Sequence, residues 1–161
     1  MALDDDIAIL SAAPLFTLLD RDALRLVAFA AESRQLRAGD MLFRKGDKSD
    51  GGYVVTRGAV ALDALDDGSP ATFIAAPGAV IGRSALFTRI ERPATATARE
   101  PSTVMRISPS LMRRVLEEFP AAAAAMQGAM ADELATLSQG LEEVRRKLLA
   151  IDGEETGGQE R

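Results

Sequence analysis

Between Val80 and Thr95 the chain reads VIGRSALFTRIERPAT. A glycine, a turn of small residues and an arginine on each side are the ingredients of a grip on an anion. A guanidinium is permanently charged and presents paired N–H donors that match an oxyanion bidentately. Arg83 and Arg92 carry that chemistry, while Arg89 reads as a solvated charge. The rest of the inventory narrows the field. The 161 residues contain no cysteine, which excludes disulfides and thiol chemistry, and no histidine, the commonest general base and metal ligand. A Ser-His-Asp triad and a histidine-based zinc site are therefore excluded. No catalytic residue, metal or cofactor is expected, and the reading is of a binder rather than an enzyme. A net charge of −5 argues against a general nucleic-acid surface and against an anionic membrane surface.

Any such grip must be held by surrounding elements. Residues 4–12 predict a short helix ended by Pro14. In LDRDALRLVAFAA, Asp20 is placed to cap a second helix whose Leu24, Val27, Ala28 and Ala31 recur at helical spacing. From Ser33 short runs follow at roughly 8–12-residue spacing, the rhythm of an antiparallel roll or sandwich. They are SRQLRAGD, MLFRKGD, GYVVTRG, AVALDALDDGSP, ATFIAAPG, ATATARE and TVMRIS. The clearest hairpin is AVALDALDDGSPATFIAA, with Asp66-Asp67-Gly68-Ser69 as its turn.

After Ser108 the period is helical again. PSLMRRVLEEF starts on a tolerated proline and stops before Pro120. A long helix then runs to Ile151, with Met130, Leu134, Leu137, Leu141, Val144, Leu148 and Ile151 spaced alternately by four and three. That is a coiled-coil seam on a helix well beyond the ~11–12-residue mean, and it predicts a parallel homodimer. The expected architecture is α+β: an antiparallel, jelly-roll-like β-roll with N-terminal helices and a long C-terminal dimerisation helix. The roll and its flanking helices take residues 1–120, the long helix 121–151, and a solvated, disordered tail 152–161. The acidic N-terminus lacks the basic start and apolar run of a signal peptide, and no segment is apolar enough to span a bilayer. The cytoplasm is the expected compartment, without membrane association.

Two motifs in the β-region resemble the cyclic nucleotide-binding domain family, the β-roll module of catabolite activator protein, protein kinase A regulatory subunits and nucleotide-gated channels. The likeness runs from about Ala12 to Ala150. The first motif is LFRKGDKSDGGYVVTRG, with Leu42, Phe43, Gly46, Asp47, Tyr53, Val54, Val55 and Gly58 in the family's places and Ser49 where glycine or alanine is usual. The second resembles the family's phosphate-binding cassette. It runs Ile81-Gly82-Arg83-Ser84-Ala85-Leu86, then five residues, then Arg92-Pro93-Ala94.

The resemblance implies cAMP or cGMP as ligand, with Arg92 on the cyclic phosphate and the amides of Ser84 to Leu86 as further donors. It also exposes two departures. Arg83 stands where the family has the glutamate that accepts from the ribose, and a guanidinium has no acceptor. Pro93 stands where a residue usually lends its N–H to the phosphate, and proline has none. A hydrogen bond to a charged group is worth about 1.5–3 kcal/mol, so the two losses weaken a cyclic nucleotide by roughly two to four orders of magnitude. Arg83 either favours a more highly charged anion or pairs with Glu91 or Glu100 at the surface. In the bacterial regulators of the family the long helix offers hydroxyls to the base; Leu137 and Ser138 fall at that place here, so Ser138 keeps one.

Only about ten polar residues follow the long helix, so no helix-turn-helix and no direct DNA binding are expected. Output would pass through an unidentified protein partner or the dimer. Two functional readings stand side by side: a stand-alone regulatory sensor that binds a cyclic nucleotide or related phosphate weakly, and a constitutive dimeric scaffold with a degenerate, non-binding pocket.

Overall fold

The computed structural model describes residues 2–65 and 70–159, and the side chains of all these except residues 2, 133, 134, 137 and 151–159. The chain divides into two compact units, Met1–Ala123 and Ala124–Arg161.

The first unit opens with helix α1 (Ala2–Ala12), a 3₁₀ turn (Phe16–Leu18) and helix α2 (Arg21–Ala30). Asp20 caps α2 as its sequence predicts, its carboxylate accepting from the Ala23 amide at 2.9 Å. Eight strands follow: β1 (Glu32–Leu36), β2 (Met41–Phe43), β3 (Gly52–Arg57), β4 (Val60–Asp63), β5 (Phe73–Ala75), β6 (Val80–Ile81), β7 (Thr95–Ala98) and β8 (Ser102–Ile107). Helix α3 (Pro109–Glu118) starts on Ser108, whose hydroxyl accepts from the Leu111 amide at 3.1 Å. Helix α4 (Pro120–Gln159) closes the chain.

The strands form two antiparallel four-stranded sheets, ordered β1-β8-β3-β6 and β2-β7-β4-β5. Side chains alternate between faces along each strand, so the inward residues of both sheets meet in one core. Tyr53, Val55, Ile81 and Val104 come from the first sheet, and Val60, Ala75 and Ala96 from the second. The first sheet is also covered on its other face. Val54, Met105 and Ile107 are buried there with Leu10, Leu24, Val27, Leu111, Met112 and Val115 of the helices. Burial on both faces is why β3 reads as a continuous apolar run rather than an alternation. The second sheet leaves Met41 and Ile74 of its outer face in solvent.

The α+β class and every expected strand are present. Strand β6 had no signal of its own: two residues pair with β3 through Tyr53–Ile81 and Val54–Val80. The hairpin joins β4 to β5 with Val60 opposite Ala75; its turn, Asp66 to Ser69, lies outside the described residues. The second unit departs from expectation at its end. The helical backbone continues to Gln159, across most of the stretch expected as a tail at 152–161. Adding a residue to an existing helix fixes one residue for one hydrogen bond, and no proline after Pro120 stops it. Residues 160–161 lie outside the described residues. Among the described residues no helix is long and apolar enough to cross a membrane.

Candidate functional site

The cassette begins where β6 ends. Gly82 takes φ +76°, a left-handed conformation that an L side chain adopts at a cost of roughly 1–2 kcal/mol. It turns the chain into a 3₁₀ turn at Ser84–Leu86. Within it the Ala85 amide donates to the Gly82 carbonyl at 3.0 Å and the Leu86 amide to that of Arg83 at 3.2 Å. Of the three amides expected to meet a phosphate, two are thus engaged, a consequence of the i→i+3 bonding that closes such a turn. Only that of Ser84 is not used by the turn. Ala85 and Leu86 are buried, whereas Arg83, Ser84 and Pro93 are exposed and Ala94 is half-buried.

The spacer returns along the loop between β2 and β3 and is pinned to it. Ser49 donates its amide to the Ile90 carbonyl at 2.7 Å and accepts from the Ile90 amide on its hydroxyl at 2.8 Å. Arg92 donates its amide to the Asp47 carbonyl at 2.7 Å, and its carbonyl accepts from the Gly46 amide at 2.8 Å. Ser49, the apparent irregularity of the first motif, is therefore a buried clamp that glycine or alanine could not supply.

This clamp directs Arg92 into the roll, where the side chain is only 2% exposed. Its Nη2 donates to the Gly51 carbonyl at 2.6 Å and to Asp50 Oδ1 at 3.2 Å. The guanidinium carbon lies 4.1 Å from the centroid of the Phe43 ring and 5.5 Å from that of Tyr53, both favourable for a cation over a π face. The other terminal nitrogen, Nη1, is buried and has no hydrogen-bond partner among the described residues. It points toward Gly82: a Cβ built there would stand 2.7 Å from it. The glycine thus does two things, taking a backbone angle and leaving room for the arginine.

A charged network extends from Arg92. Asp50 accepts from the Tyr53 hydroxyl at 3.1 Å and from Arg34 at 3.4 Å. Arg34 donates to the Tyr53 hydroxyl at 2.9 Å and to Glu32 at 3.2 Å, and Arg106 donates to Glu32 at 3.0 Å and to the Asp50 carbonyl at 2.7 Å. Burial, and then the Asp50 charge, push the Tyr53 phenol up to about 12. Partial burial raises the Asp50 carboxyl, but the Tyr53 hydrogen bond and the Arg34 and Arg106 charges outweigh it, leaving the group below the usual carboxylate range. Burial pulls Arg92 below the ordinary arginine value, which still leaves it a cation at neutral pH.

Of the expected cassette residues, Gly82 stands beside Arg92, and Ser84 and Ala85 lie in the turn that follows it. The sequence reading missed Asp50, Gly51, Tyr53 and Phe43 as partners of Arg92; the only local signal was an Asp-Gly-Gly immediately before an apolar strand. The remaining expected residues are on α4. Ser138 is exposed, as are Met130, Leu141, Val144 and Leu148, at 39, 71, 55 and 58%. The side chains of Leu134, Leu137 and Ile151 lie outside the described residues. Among the described residues no group of three or more carboxylates converges on a metal position. The chemistry offered is one buried guanidinium with an unused donor nitrogen, suited to holding an oxyanion.

Similarity to known proteins agrees with this geometry. The family model for the cyclic nucleotide-binding domain matches residues 33–119, just over half the chain. A cyclic nucleotide-binding-like protein from Brucella abortus is 41% identical, with a TM-score of 0.64 over 71% of this chain and 99% of that one. The N-terminal domain of a transcriptional regulator from Streptomyces coelicolor is 29% identical, with a TM-score of 0.76 over 83% of this chain and 94% of that one. The cAMP-dependent protein kinase regulatory subunit of Eremothecium gossypii is 32% identical over 102 residues, which are 63% of this chain and 22% of that much longer protein. Both motifs, the two-sheet roll and these matches agree: the chain belongs to the cyclic nucleotide-binding domain family.

Proposed function

We propose that this chain is a non-enzymatic, cytoplasmic regulatory domain that binds a cyclic nucleotide weakly and signals through a partner protein. The observation that carries the reading is Arg92 Nη1, a buried donor on a permanent cation with no acceptor among the described residues. Leaving such a donor unpaired costs about 1–3 kcal/mol, and a phosphate oxygen is the acceptor that a guanidinium satisfies best. Because Nη1 is buried, a phosphate reaches it only if Arg92 or the turn after Gly82 shifts, loosening the bond from Nη2 to Asp50. Occupancy is thereby converted into a rearrangement of the loop between β2 and β3. Arg83 in the place of the ribose acceptor and Pro93 in the place of an amide donor make the site weak.

The exposed seam of α4 supports homodimerisation. Leu141, Val144 and Leu148 are each more than half exposed on a 40-residue helix, and a second copy of that helix would bury them. The alternative, a dimeric scaffold with a degenerate pocket, has its own support: Arg92 already spends Nη2 on Gly51 and Asp50. Calorimetric titration with cyclic AMP and cyclic GMP decides between them. Heat saturating in the micromolar-to-millimolar range supports the sensor, and its absence at millimolar nucleotide leaves the scaffold.

A further inference from the structure

In a regular strand every second side chain shares a face, so Arg57 of β3 would follow Tyr53 and Val55 into the core. It does not. The register of β3 against β8 slips between Val55, opposite Val104, and Arg57, opposite Thr103. Val104 is in the core, so its neighbour Thr103 and the paired Arg57 face outward. The Thr56 hydroxyl holds the slip by donating to the Thr103 carbonyl at 3.1 Å. Such a bulge disrupts the ladder locally and re-aims a side chain, and here it turns a cation to the outer face.

Gln35 of β1 also lies opposite Thr103, so Gln35, Thr103 and Arg57 form one outward row across the first sheet. Two residues along, in the row Ser33–Met105–Val54, Met105 and Val54 are buried under the helices. That cover ends before the Arg57 row, where Gln35 and Arg57 are exposed and Thr103 is half-buried. A cleft of about 690 Å³ opens there, and Arg37, Asp40 and Pro101 complete its lining. Arg37 is exposed like Arg57, and among the described residues neither guanidinium has a hydrogen-bond or ion-pair partner.

Backbone hydrogen bonds fix the walls. Asp40 accepts from the Arg37 amide at 2.8 Å, while the Gly39 amide donates to the Ala98 carbonyl at 2.7 Å and the Ala98 amide to that of Asp40 at 2.8 Å. The Ser102 hydroxyl accepts from the Ala59 amide at 3.0 Å and donates to the Glu100 carbonyl at 2.8 Å. Two unpaired guanidiniums are thus presented on pinned loops, an arrangement suited to carboxylates. An exposed ion pair contributes about 0–1 kcal/mol, so a lone small anion is held feebly, whereas a segment with several carboxylates sums such contacts. We propose that this cleft is an interaction surface for an acidic segment of a partner protein. It shares no residue with the Arg92 site and stands whether or not a nucleotide binds there. The net charge of −5 disfavours such a segment over the rest of the surface, which sharpens the preference for the cleft.

The test is fluorescence anisotropy of the full chain with a labelled hexaglutamate peptide, and with unlabelled hexaglutamate, hexaserine and tripolyphosphate as competitors. The parent binds the label, releases it as salt is raised, and gives it up to hexaglutamate but not to hexaserine. Arg37→Ala and Arg57→Ala each weaken binding roughly threefold and together roughly tenfold. Arg25→Ala, which removes an exposed cation of α2, leaves it unchanged. Asp40→Asn keeps an oxygen for the Arg37 amide while removing the like charge, and tightens binding roughly twofold. Circular dichroism checks that each variant is folded. No binding by the parent at millimolar peptide, or equal losses in Arg25→Ala and Arg57→Ala, overturns the proposal. Tripolyphosphate held more tightly than hexaglutamate overturns it too, because the cleft then takes a phosphate rather than a protein segment.

Discussion

Arg92 and the outward stripe of helix α4 are opposite cases of groups outside their usual surroundings. Arg92 is a permanent cation that is 2% exposed, and its own chain supplies a carbonyl, a carboxylate and two aromatic rings to hold it. What is left over is one nitrogen. Leu141, Val144, Leu148 and Leu149 are apolar and between 55 and 71% exposed, and what is left over there is surface. A missing hydrogen-bond acceptor is filled by a small anion, while apolar surface is covered by another side-chain face. The two regions therefore ask for different kinds of partner.

The comparison is broken most severely at the helix. Leu141→Glu together with Val144→Glu places charges on the seam, and the proposed dimer is expected to weaken about a hundredfold, the equivalent of ~2.7 kcal/mol. Sedimentation measures it, and a parent chain that is monomeric at micromolar concentration contradicts the dimer outright. Glycines give the next largest contrast, with opposite signs in the two regions. Gly82→Ala forces a side chain into φ +76° and places its Cβ 2.7 Å from Arg92 Nη1, so stability to urea falls by about 2 kcal/mol. Gly128→Ala, in α4 with no neighbouring atom within 4 Å of the added Cβ, instead stabilises by about 0.5–1 kcal/mol.

The smallest effect is spectroscopic. Tyr53 is the one tyrosine in a chain without tryptophan, so its phenolate absorbance reports the network beside Arg92 alone. Burial and the Asp50 charge push it up from 10 to about 12, and its titration is expected there. A raised phenol contributes stability that is full below pH 10 and lost as pH climbs through 12, because the unfolded chain ionises first. Asp50→Asn removes the neighbouring charge and brings the titration down, though burial keeps it above the free value. A midpoint of 10 in the parent removes the network as described.

Much of the first unit was legible in the sequence because its signals are local. Asp20 and Ser108 cap the helices that follow them, and Gly46 and Gly58 take the positive φ their turns require. The cassette frame from Gly82 to Ala94 located the turn after β6 and the buried arginine that follows it. The partners of Arg92 were not legible. Asp50 stands 42 residues from Arg92, and only the tertiary fold brings the two together. Ser49 looked like a deviation because its role depends on the Ile90 backbone opposite it. The continuation of α4 past Ile151 was missed because its polar, glycine-containing sequence carries no apolar period.

The claim on which the account depends is that Arg92 Nη1 donates a hydrogen bond to a phosphate oxygen, its missing partner. Calorimetric titration of the parent chain and of Arg92→Ala with cyclic AMP, in the same buffer, tests it directly. The account predicts saturable heat from the parent and an affinity at least roughly a hundredfold lower in Arg92→Ala, the loss of a charge-assisted pair. Equal heats from the two proteins, or none from the parent at millimolar nucleotide, would contradict it.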